Sequence, residues 1–234
     1  EASVLAPIEE FGRIWRYGAE AEAVKLDRLN TDAWLKRRAQ VSQEIDKAAA
    51  DLIEAAKARA EEKAEEIKPP RAAYAKFASR FPYPETPDQA VAIEAVLDDL
   101  ESGKVMNRLI CGDVGFGKTE IALRAAAAVA LSGKQVAVVA PTTVLVRQHF
   151  EVFQRRFAES GIKVGHLSRI TAGSEMDAVK EGLKSGEIGI VVATQAVASE
   201  DVGFADLGLL IIDEEHRFGA KLKDKMRSLA PALH

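Results

Sequence analysis

The eight residues from 112 to 119 constrain the fold of this chain more than any other feature. They fit the pattern G-x-x-x-x-G-K-[ST] and lie between a strand-like apolar run at 105–111 and a helical stretch at 118–131. Glycines let the backbone wrap a triphosphate, so that amide N–H groups and the helix N-terminus face its charge. We predict a nucleotide site formed by Gly112, Asp113, Val114, Gly115, Phe116, Gly117, Lys118, Thr119 and Glu120. Lys118 would reach the β- and γ-phosphates and act in catalysis, and the Thr119 hydroxyl would hold Mg²⁺.

From residue 71 onward, apolar runs of strand length alternate with helical segments. The predicted strands are 105–111, 135–140, 163–167, 188–193 and 207–212, and the predicted helices are 118–131, 144–157 and 174–184. Runs such as 136–139 and 209–212 are apolar at every position, as in strands that helices cover on both faces. The pattern therefore predicts an α/β fold with a parallel sheet and right-handed crossovers.

Acidic residues follow the last of these apolar runs. The sequence Asp213-Glu214-Glu215-His216 begins where the run 207–212 ends. A carboxylate at the carboxyl end of a strand points into the ligand crevice of such a sheet. We predict that Asp213 holds Mg²⁺ through water and that Glu214 orients and deprotonates the attacking water.

Residues 31–68 are rich in Ala, Glu, Lys and Arg and predict one long helix that Pro69 and Pro70 terminate. At 1.5 Å per residue its length would be about 55 Å. Its apolar stripe is narrow and rich in alanine, so we expect a helix that packs along one side. A connector between domains and a solvated surface helix remain equally open.

Composition excludes disordered, collagenous and disulfide-stapled chains, because 47% of the residues are hydrophobic and 29% are charged. The 32 basic and 36 acidic residues leave a net charge of −4, which neither indicates nor excludes nucleic-acid binding. The single cysteine, Cys111, fits a reducing cytosol, and we expect it to be a buried strand residue. A start at Glu1 rather than Met leads us to expect a piece of a longer protein.

Together, the glycine-rich loop, Asp213-Glu214-Glu215-His216 and Thr86-Pro87-Asp88-Gln89 resemble the first motor lobe of superfamily 2 helicases and translocases. This resemblance implies a RecA-like P-loop NTPase lobe that uses ATP and Mg²⁺. It also implies that Gln89 reads the adenine edge and that His216 links the γ-phosphate site to a second lobe. Phe81, with Tyr83 close behind, is the aromatic residue expected to stack on the base.

The amino-acid sequence of residues 111–120, 134–143 and 207–219 is similar to that of the transcription-repair coupling factor (Mfd) family. The similarity extends upstream through residues 16–18 and 32–34. It implies that residues 1–30 are a remnant of a polymerase-interacting domain and linker. Residues 31–70 would be the connector helix and 71–234 a motor lobe truncated at its C-terminus. The implied partners are double-stranded DNA, RNA polymerase and, through regions outside this chain, nucleotide-excision repair proteins of the bacterial cytoplasm and nucleoid.

The same resemblance implies a DNA face on the lobe. Hydroxyls, helix N-termini and arginines bind phosphate without reading sequence. The residues expected there are Thr142, Thr143, Arg147, Ser168, Arg169 and Thr194. The family usually has His after this last Thr, and the Gln195 found here leaves that local contact open.

The family's second lobe supplies an arginine finger, so we expect this chain to bind nucleotide weakly and to be nearly inactive alone. Two alternatives stay open. One is a RecG-like fork-remodelling helicase lobe. The RecG family shares the motor motifs but lacks the long helix that precedes them here. The other is a non-catalytic, nucleotide-sensing interaction scaffold in which residues 1–68 bind a partner. A metabolite kinase is disfavoured, because such enzymes seldom combine Glu214 with an upstream Gln89.

Overall fold

The computed structural model describes residues 33–113, 115–169, 171, 173–229 and 233–234. Predictions for residues 1–32 and for Val114 lie outside this part of the chain. The chain divides into two compact units between Ala56 and Lys57. The described helices are α1 (Ala33–Glu61), α2 (Arg71–Ala78), α3 (Pro87–Glu101), α4 (Lys118–Leu131), α5 (Thr143–Phe157), α6 (Gly173–Ser185) and α7 (Ala220–Arg227). The described strands are β1 (Gln135–Val139), β2 (Lys163–Leu167), β3 (Ile188–Ala193) and β4 (Leu207–Ile212).

The long helix is present but shorter than predicted. It has 29 residues and ends at Glu61, seven residues before the predicted end at Lys68. Its apolar stripe includes Val41, Ile45 and Leu52, which are 47%, 62% and 67% exposed. None of the helices in the described ranges is long and apolar enough to span a membrane.

Residues 62–68 leave the helix because their backbone pairs with another segment. The N–H of Ala64 donates to the carbonyl of Gly103 at 3.0 Å, and the N–H of Ile67 donates to that of Leu100 at 2.9 Å. The Ile67 side chain is buried in the core at 2% exposure. A helix continuing to Pro69 would forgo both the pairing and this burial. Pro70 instead takes the N-cap position of α2, where the missing N–H of proline costs little.

The four strands form one parallel sheet in the order β2-β3-β1-β4. Helices cover both faces, so β1 and most of β3 are buried on both sides as the apolar runs predicted, whereas the edge strands β2 and β4 are partly exposed. One face packs on α3, α4 and α5 through Val136, Val138, Ile190, Val192 and Leu209. The other face packs on α6 and α7 through Ala137, Val139, Val191 and Ala193. The predicted α/β fold is therefore confirmed.

Residues 105–111, which we predicted to be a strand, are not one in the structure. His234 occupies the outer side of β4: its carbonyl accepts the N–H of Leu210 at 2.8 Å, and its N–H donates to Gly208 at 3.3 Å. The N–H of Met106 bonds to the His234 imidazole at 3.2 Å instead of to the backbone of β4. Since 105–111 has no strand neighbour among the described residues, Cys111 is exposed and not buried as expected.

Candidate functional site

All four strands run parallel, so the residues that follow them lie along one edge of the sheet. The ladder continues one residue past the strands: Thr194 N donates to Leu167 O at 3.0 Å, and Asp213 N donates to Val139 O at 2.8 Å. Helix α4 packs on β1 and joins it through the short turn at 132–134. This path carries the N-terminus of α4 back to the edge where β1 and β4 end. Lys118 and Asp213, which we predicted to serve one site, therefore share this edge.

The glycine-rich loop turns into α4 through left-handed backbone at Gly115 (φ 88°) and Gly117 (φ 76°), which glycine adopts without steric cost. Lys118 folds back over the loop, and its Nζ donates to the carbonyls of Gly112 at 2.6 Å and Asp113 at 2.8 Å. The lysine amine is thus bonded to loop carbonyls, and it would have to exchange these acceptors for phosphate oxygens to bind a nucleotide.

Gln89 connects the start of α3 to this loop. Its Oε1 accepts the N–H of Thr86 at 2.9 Å, and the Thr86 hydroxyl accepts the N–H of Gln89 at 3.2 Å, which forms a capping box. Its Nε2 donates to the carbonyls of Phe116 at 3.2 Å and Gly117 at 3.5 Å. The predicted adenine-reading residue therefore touches the loop, while its amide is engaged by protein groups.

Two aromatic side chains lie next to this cap. The rings of Phe81 and Tyr83 are edge to face at 5.7 Å. Tyr83 is 70% exposed, whereas Phe81 is half-buried with the Arg156 guanidinium 5.9 Å from its ring. Phe116, in the loop itself, is also 70% exposed.

The side chain of Glu120, a residue that we predicted to contact the nucleotide, is buried and does not face the loop. Its carboxylate is 3% exposed and accepts hydrogen bonds from Arg124 Nε at 2.7 Å and Arg156 Nη2 at 2.9 Å. Arg124 also pairs with Glu85. Burial opposes the charge of Arg124, but the bonded carboxylates raise its pKa above the usual value; burial lowers the pKa of Arg156. The Glu120 carboxylate is therefore neutralised by two arginines inside the protein.

The acidic turn stands at the end of β4. Glu214 has φ 52° and ψ 47°, and it is the only non-glycine with positive φ in the described chain. Such a conformation costs a side-chain-bearing residue about 1–2 kcal/mol, and strained backbone concentrates at functional sites. Its carboxylate lies 3.4 Å from Nε2 of His216, which is 72% exposed. The two predicted catalytic residues of the turn are thus adjacent.

His149 is a contact of this site that neither sequence motif includes. Its Nε2 lies 2.8 Å from Oδ2 of Asp213, although 64 residues separate the two. One signal was available: Val146 and Phe153, three and four residues away on α5, are both buried. A histidine on the buried side of a helix needs a polar partner, but only the fold shows which one.

The residues predicted for the DNA face divide into exposed and buried groups. Arg147 is 74% exposed and pairs loosely with Glu151 at 3.3 Å, and Arg169 is exposed as well. Thr143 opens α5, and the Thr142 hydroxyl caps it by accepting the N–H of Leu145 at 3.3 Å.

The other two residues predicted for that face are buried. Ser168 is 1% exposed, with its hydroxyl 3.4 Å from that of Thr171, so its side chain does not reach a surface and the prediction for it is wrong. Thr194 is 9% exposed and accepts the N–H of Ala196 at 3.4 Å. Both hydroxyls therefore contact residues of their own local turns.

The oxygen donors at the edge suit Mg²⁺. This ion is commonly held by one or two carboxylates together with substrate phosphates and waters, not by an all-protein cage. Thr119 and Asp213 are half-buried and offer a hydroxyl and a carboxylate. Within the described ranges no group of three or more His, Cys, Asp or Glu side chains could hold a metal ion. Any magnesium here would depend on the nucleotide for its remaining ligands.

A RecA-like parallel sheet with a phosphate loop on one helix and Asp-Glu-x-His after a strand defines a helicase-type nucleotide-binding lobe. The chain belongs to the DEAD/DEAH box helicase family, whose pattern matches residues 86–234. It is 42% identical over 230 residues to the transcription-repair-coupling factor of Haemophilus influenzae, covering 98% of this chain and 20% of that protein. The factor of Borreliella burgdorferi is 42% identical over 227 residues, with 97% and 20% covered. The chain spans about a fifth of these relatives.

Similar structures are also found among solved proteins. A structure of RecG bound to a three-way DNA junction aligns with a TM-score of 0.66 and 37% identity, covering 71% of this chain and 23% of that one. A hypothetical ATP-dependent RNA helicase from Sulfolobus tokodaii aligns with a TM-score of 0.50 and 19% identity, covering 68% of this chain and 46% of that one. The second likeness concerns the fold alone.

Proposed function

We propose that this chain is the ATP-binding lobe of an ATP-dependent double-stranded DNA translocase. The whole protein would couple transcription to DNA repair by displacing stalled RNA polymerase. The observation that carries the proposal is the parallel sheet, which places the Asp213-Glu214 turn at the carboxyl end of β4, the edge at which we expect the loop that opens α4 to lie.

In this proposal each residue at the carboxyl edge of the sheet has its own chemical role. Phosphate oxygens replace the carbonyls of Gly112 and Asp113 as acceptors for the Lys118 amine. Backbone N–H groups at the start of α4 add their partial positive charge. Bound Mg²⁺, held by Thr119 and Asp213, would neutralise charge on the phosphates. Glu214 orients the attacking water and accepts its proton.

Duplex DNA and RNA polymerase enter the proposal through the relatives and the placement of exposed residues. Proteins at 42% identity across 98% of the chain are named transcription-repair-coupling factors. Thr142, Thr143 and Arg147 follow β1 and Arg169 follows β2, so they stand on the edge that also holds the nucleotide residues. Contacts of this kind grip the phosphate backbone and carry no sequence information.

The proposal is tested by nucleotide binding and phosphate release on the 234-residue chain, with and without duplex DNA. We expect measurable ATP binding, almost no turnover without a second lobe, and loss of binding in Lys118→Ala. Lys184→Ala, an exposed lysine on α6, is the matched control and should bind like the original chain. Absence of ATP binding would contradict the nucleotide site. Rapid turnover abolished by Lys118→Ala would contradict only the need for a second lobe.

A RecG-like fork-remodelling lobe is the second candidate, favoured by the TM-score of 0.66 with RecG on a three-way junction. The two functions differ in their DNA substrate. Competition between linear duplex and a three-way junction for a longer protein containing this lobe separates them. A clear preference for the junction would favour fork remodelling over translocation along duplex DNA.

A further inference from the structure

Both oxygens of the Asp213 carboxylate have hydrogen-bond donors from this chain. Oδ2 lies 2.8 Å from Nε2 of His149, and Oδ1 accepts the N–H of Glu214 at 3.1 Å. An ionised carboxylate only accepts hydrogen bonds, so Nε2 is the donor in the first contact. The carboxylate is 32% exposed and the imidazole 16% exposed, which shields their contact more than a surface pair. Together the two donors set the orientation of the carboxylate plane.

The fold places His149 here through a second, independent link. The N–H of Asp213 donates to the carbonyl of Val139, the last residue of β1. Four residues later the chain enters α5, and the second turn of this helix carries the imidazole of His149. Backbone and side chain of Asp213 are therefore both tied to the β1–α5 segment, which leaves the carboxylate little freedom to rotate.

We propose that His149 is a positioning residue that holds Asp213 in the orientation in which it serves Mg²⁺; this inference rests on the proposed nucleotide function. Carboxylates that bind metals are themselves hydrogen-bonded, and loss of such an outer partner weakens metal affinity about 10- to 100-fold. His149 touches neither the phosphates nor the magnesium in this scheme. It acts through Asp213 alone.

The test is the magnesium dependence of nucleotide binding by the 234-residue chain. Binding of fluorescent methylanthraniloyl-ADP is measured with Mg²⁺ and with EDTA. In the original chain Mg²⁺ should tighten binding, and His149→Ala should reduce that gain about 10- to 100-fold while leaving the affinity in EDTA unchanged. His149→Gln keeps an N–H donor at similar reach and should restore most of the gain. Gln148→Ala, an exposed neighbour on the same helix, is the control and should change nothing.

Each outcome decides a different point. Unchanged magnesium dependence in His149→Ala overturns the positioning role. Equal weakening with Mg²⁺ and with EDTA also overturns it, since that result marks a purely structural residue. If His149→Ala does not fold, His149→Leu fills the space without a donor and is compared with His149→Gln. If the original chain gains nothing from Mg²⁺, the proposed function fails first and the inference fails with it.

Discussion

The two halves of the nucleotide site are held in place in different ways. Asp213 follows β4, an edge strand whose last three residues are half-buried, and its backbone is bonded to Val139 and its side chain to His149. The phosphate loop follows residues 105–111, which have no strand pairing in the described structure. Leu109 and Phe116 around it are 73% and 70% exposed. The half with the stronger sequence motif is thus the half with the weaker structural support.

This difference shows that side chains, and not the sheet, hold the phosphate loop. Gln89 bonds to the carbonyl of Phe116, and Lys118 bonds to that of Gly112. Below the loop, Glu120 anchors the first turn of α4 to Arg124 and Arg156. Segments with exposed backbone and few buried contacts open at low free energy. We therefore expect the loop half to adjust to its ligand, while the carboxylate half is already in position.

The largest loss in the free energy of unfolding should come from removing the side chain that anchors α4. Glu120→Ala leaves the guanidinium groups of Arg124 and Arg156, 6% and 12% exposed, without their shared carboxylate. Breaking one partner of a buried ion pair costs about 3–5 kcal/mol in the free energy of unfolding. Urea denaturation of the variant and the original chain measures this loss.

The control for this prediction is an ion pair on the surface. Arg147 and Glu151 are 74% and 60% exposed, so Glu151→Ala should change the free energy of unfolding by about 0.5 kcal/mol or less. Similar small losses in Glu120→Ala and Glu151→Ala would show that the buried network does not anchor α4.

The second-largest loss of stability should come from a methyl group placed between Gln89 and the loop. A Cβ at Gly117 would lie 2.2 Å from Nε2 of Gln89, and the backbone there is left-handed at φ 76°. Gly117→Ala should cost about 2–3 kcal/mol, from the strained backbone and from the displaced Gln89 hydrogen bonds. Thermal and urea unfolding report the loss.

Gly115→Ala separates those two contributions. Gly115 is equally left-handed at φ 88°, but its Cβ would meet nothing within 4 Å. This variant should lose only the backbone contribution of about 1–2 kcal/mol. In a double-mutant cycle, Gln89→Ala should cost less beside Gly117→Ala than alone, because the bonds from Gln89 to the loop are already lost and only its bond with the N–H of Thr86 remains. Full additivity would show that Gln89 does not support the loop.

The smallest predicted change in stability concerns the hydrogen bond that links residues 105–111 to His234 beside the sheet. His234 is 7% exposed, and burial lowers its pKa below 6.5. The unfolded chain therefore binds this proton first, so the stabilisation is complete above pH 6.5 and is lost as pH falls below it. Protonation of Nδ1 also ends its hydrogen bond with the N–H of Met106.

Unfolding free energies at about pH 7.5 and 5.5, compared between the original chain and His234→Asn, isolate this group from the other histidines. Asn offers an acceptor in place of Nδ1 and does not titrate, so the acid-induced loss should shrink by about 1 kcal/mol or less. Identical losses in the two proteins would show that His234 does not make the entrance to the loop sensitive to pH.

Much of the fold was predictable because its signals are local. Strands apolar at every position, such as 136–139 and 209–212, have to be covered on both faces, and the structure confirms this. The failures occurred where pairing with a distant segment decides the outcome. The helix stopped at Glu61 because residues 62–67 pair near Leu100. Residues 105–111 have no strand partner among the described residues, and Met106 bonds to the His234 side chain instead.

The candidate site shows the same division between local and distant signals. The glycines, Lys118, Thr119, Asp213 and Glu214 were predicted from residue type and spacing, because phosphate and magnesium favour those types, and their roles stay predictions. Ser168 and Glu120 were misplaced because burial is not a local property. His149 was missed because its partner lies 64 residues away.

By itself, the sequence determined the class of fold, the phosphate loop and the acidic turn, since short-range backbone and side-chain chemistry is written in consecutive residues. Only the tertiary structure decided which side chains support that site. Gln89 beneath the loop, the arginines around Glu120 and the imidazole on Asp213 are contacts between distant segments. Such contacts depend on strand order and helix packing, which many sequences with the same local pattern could satisfy in other ways.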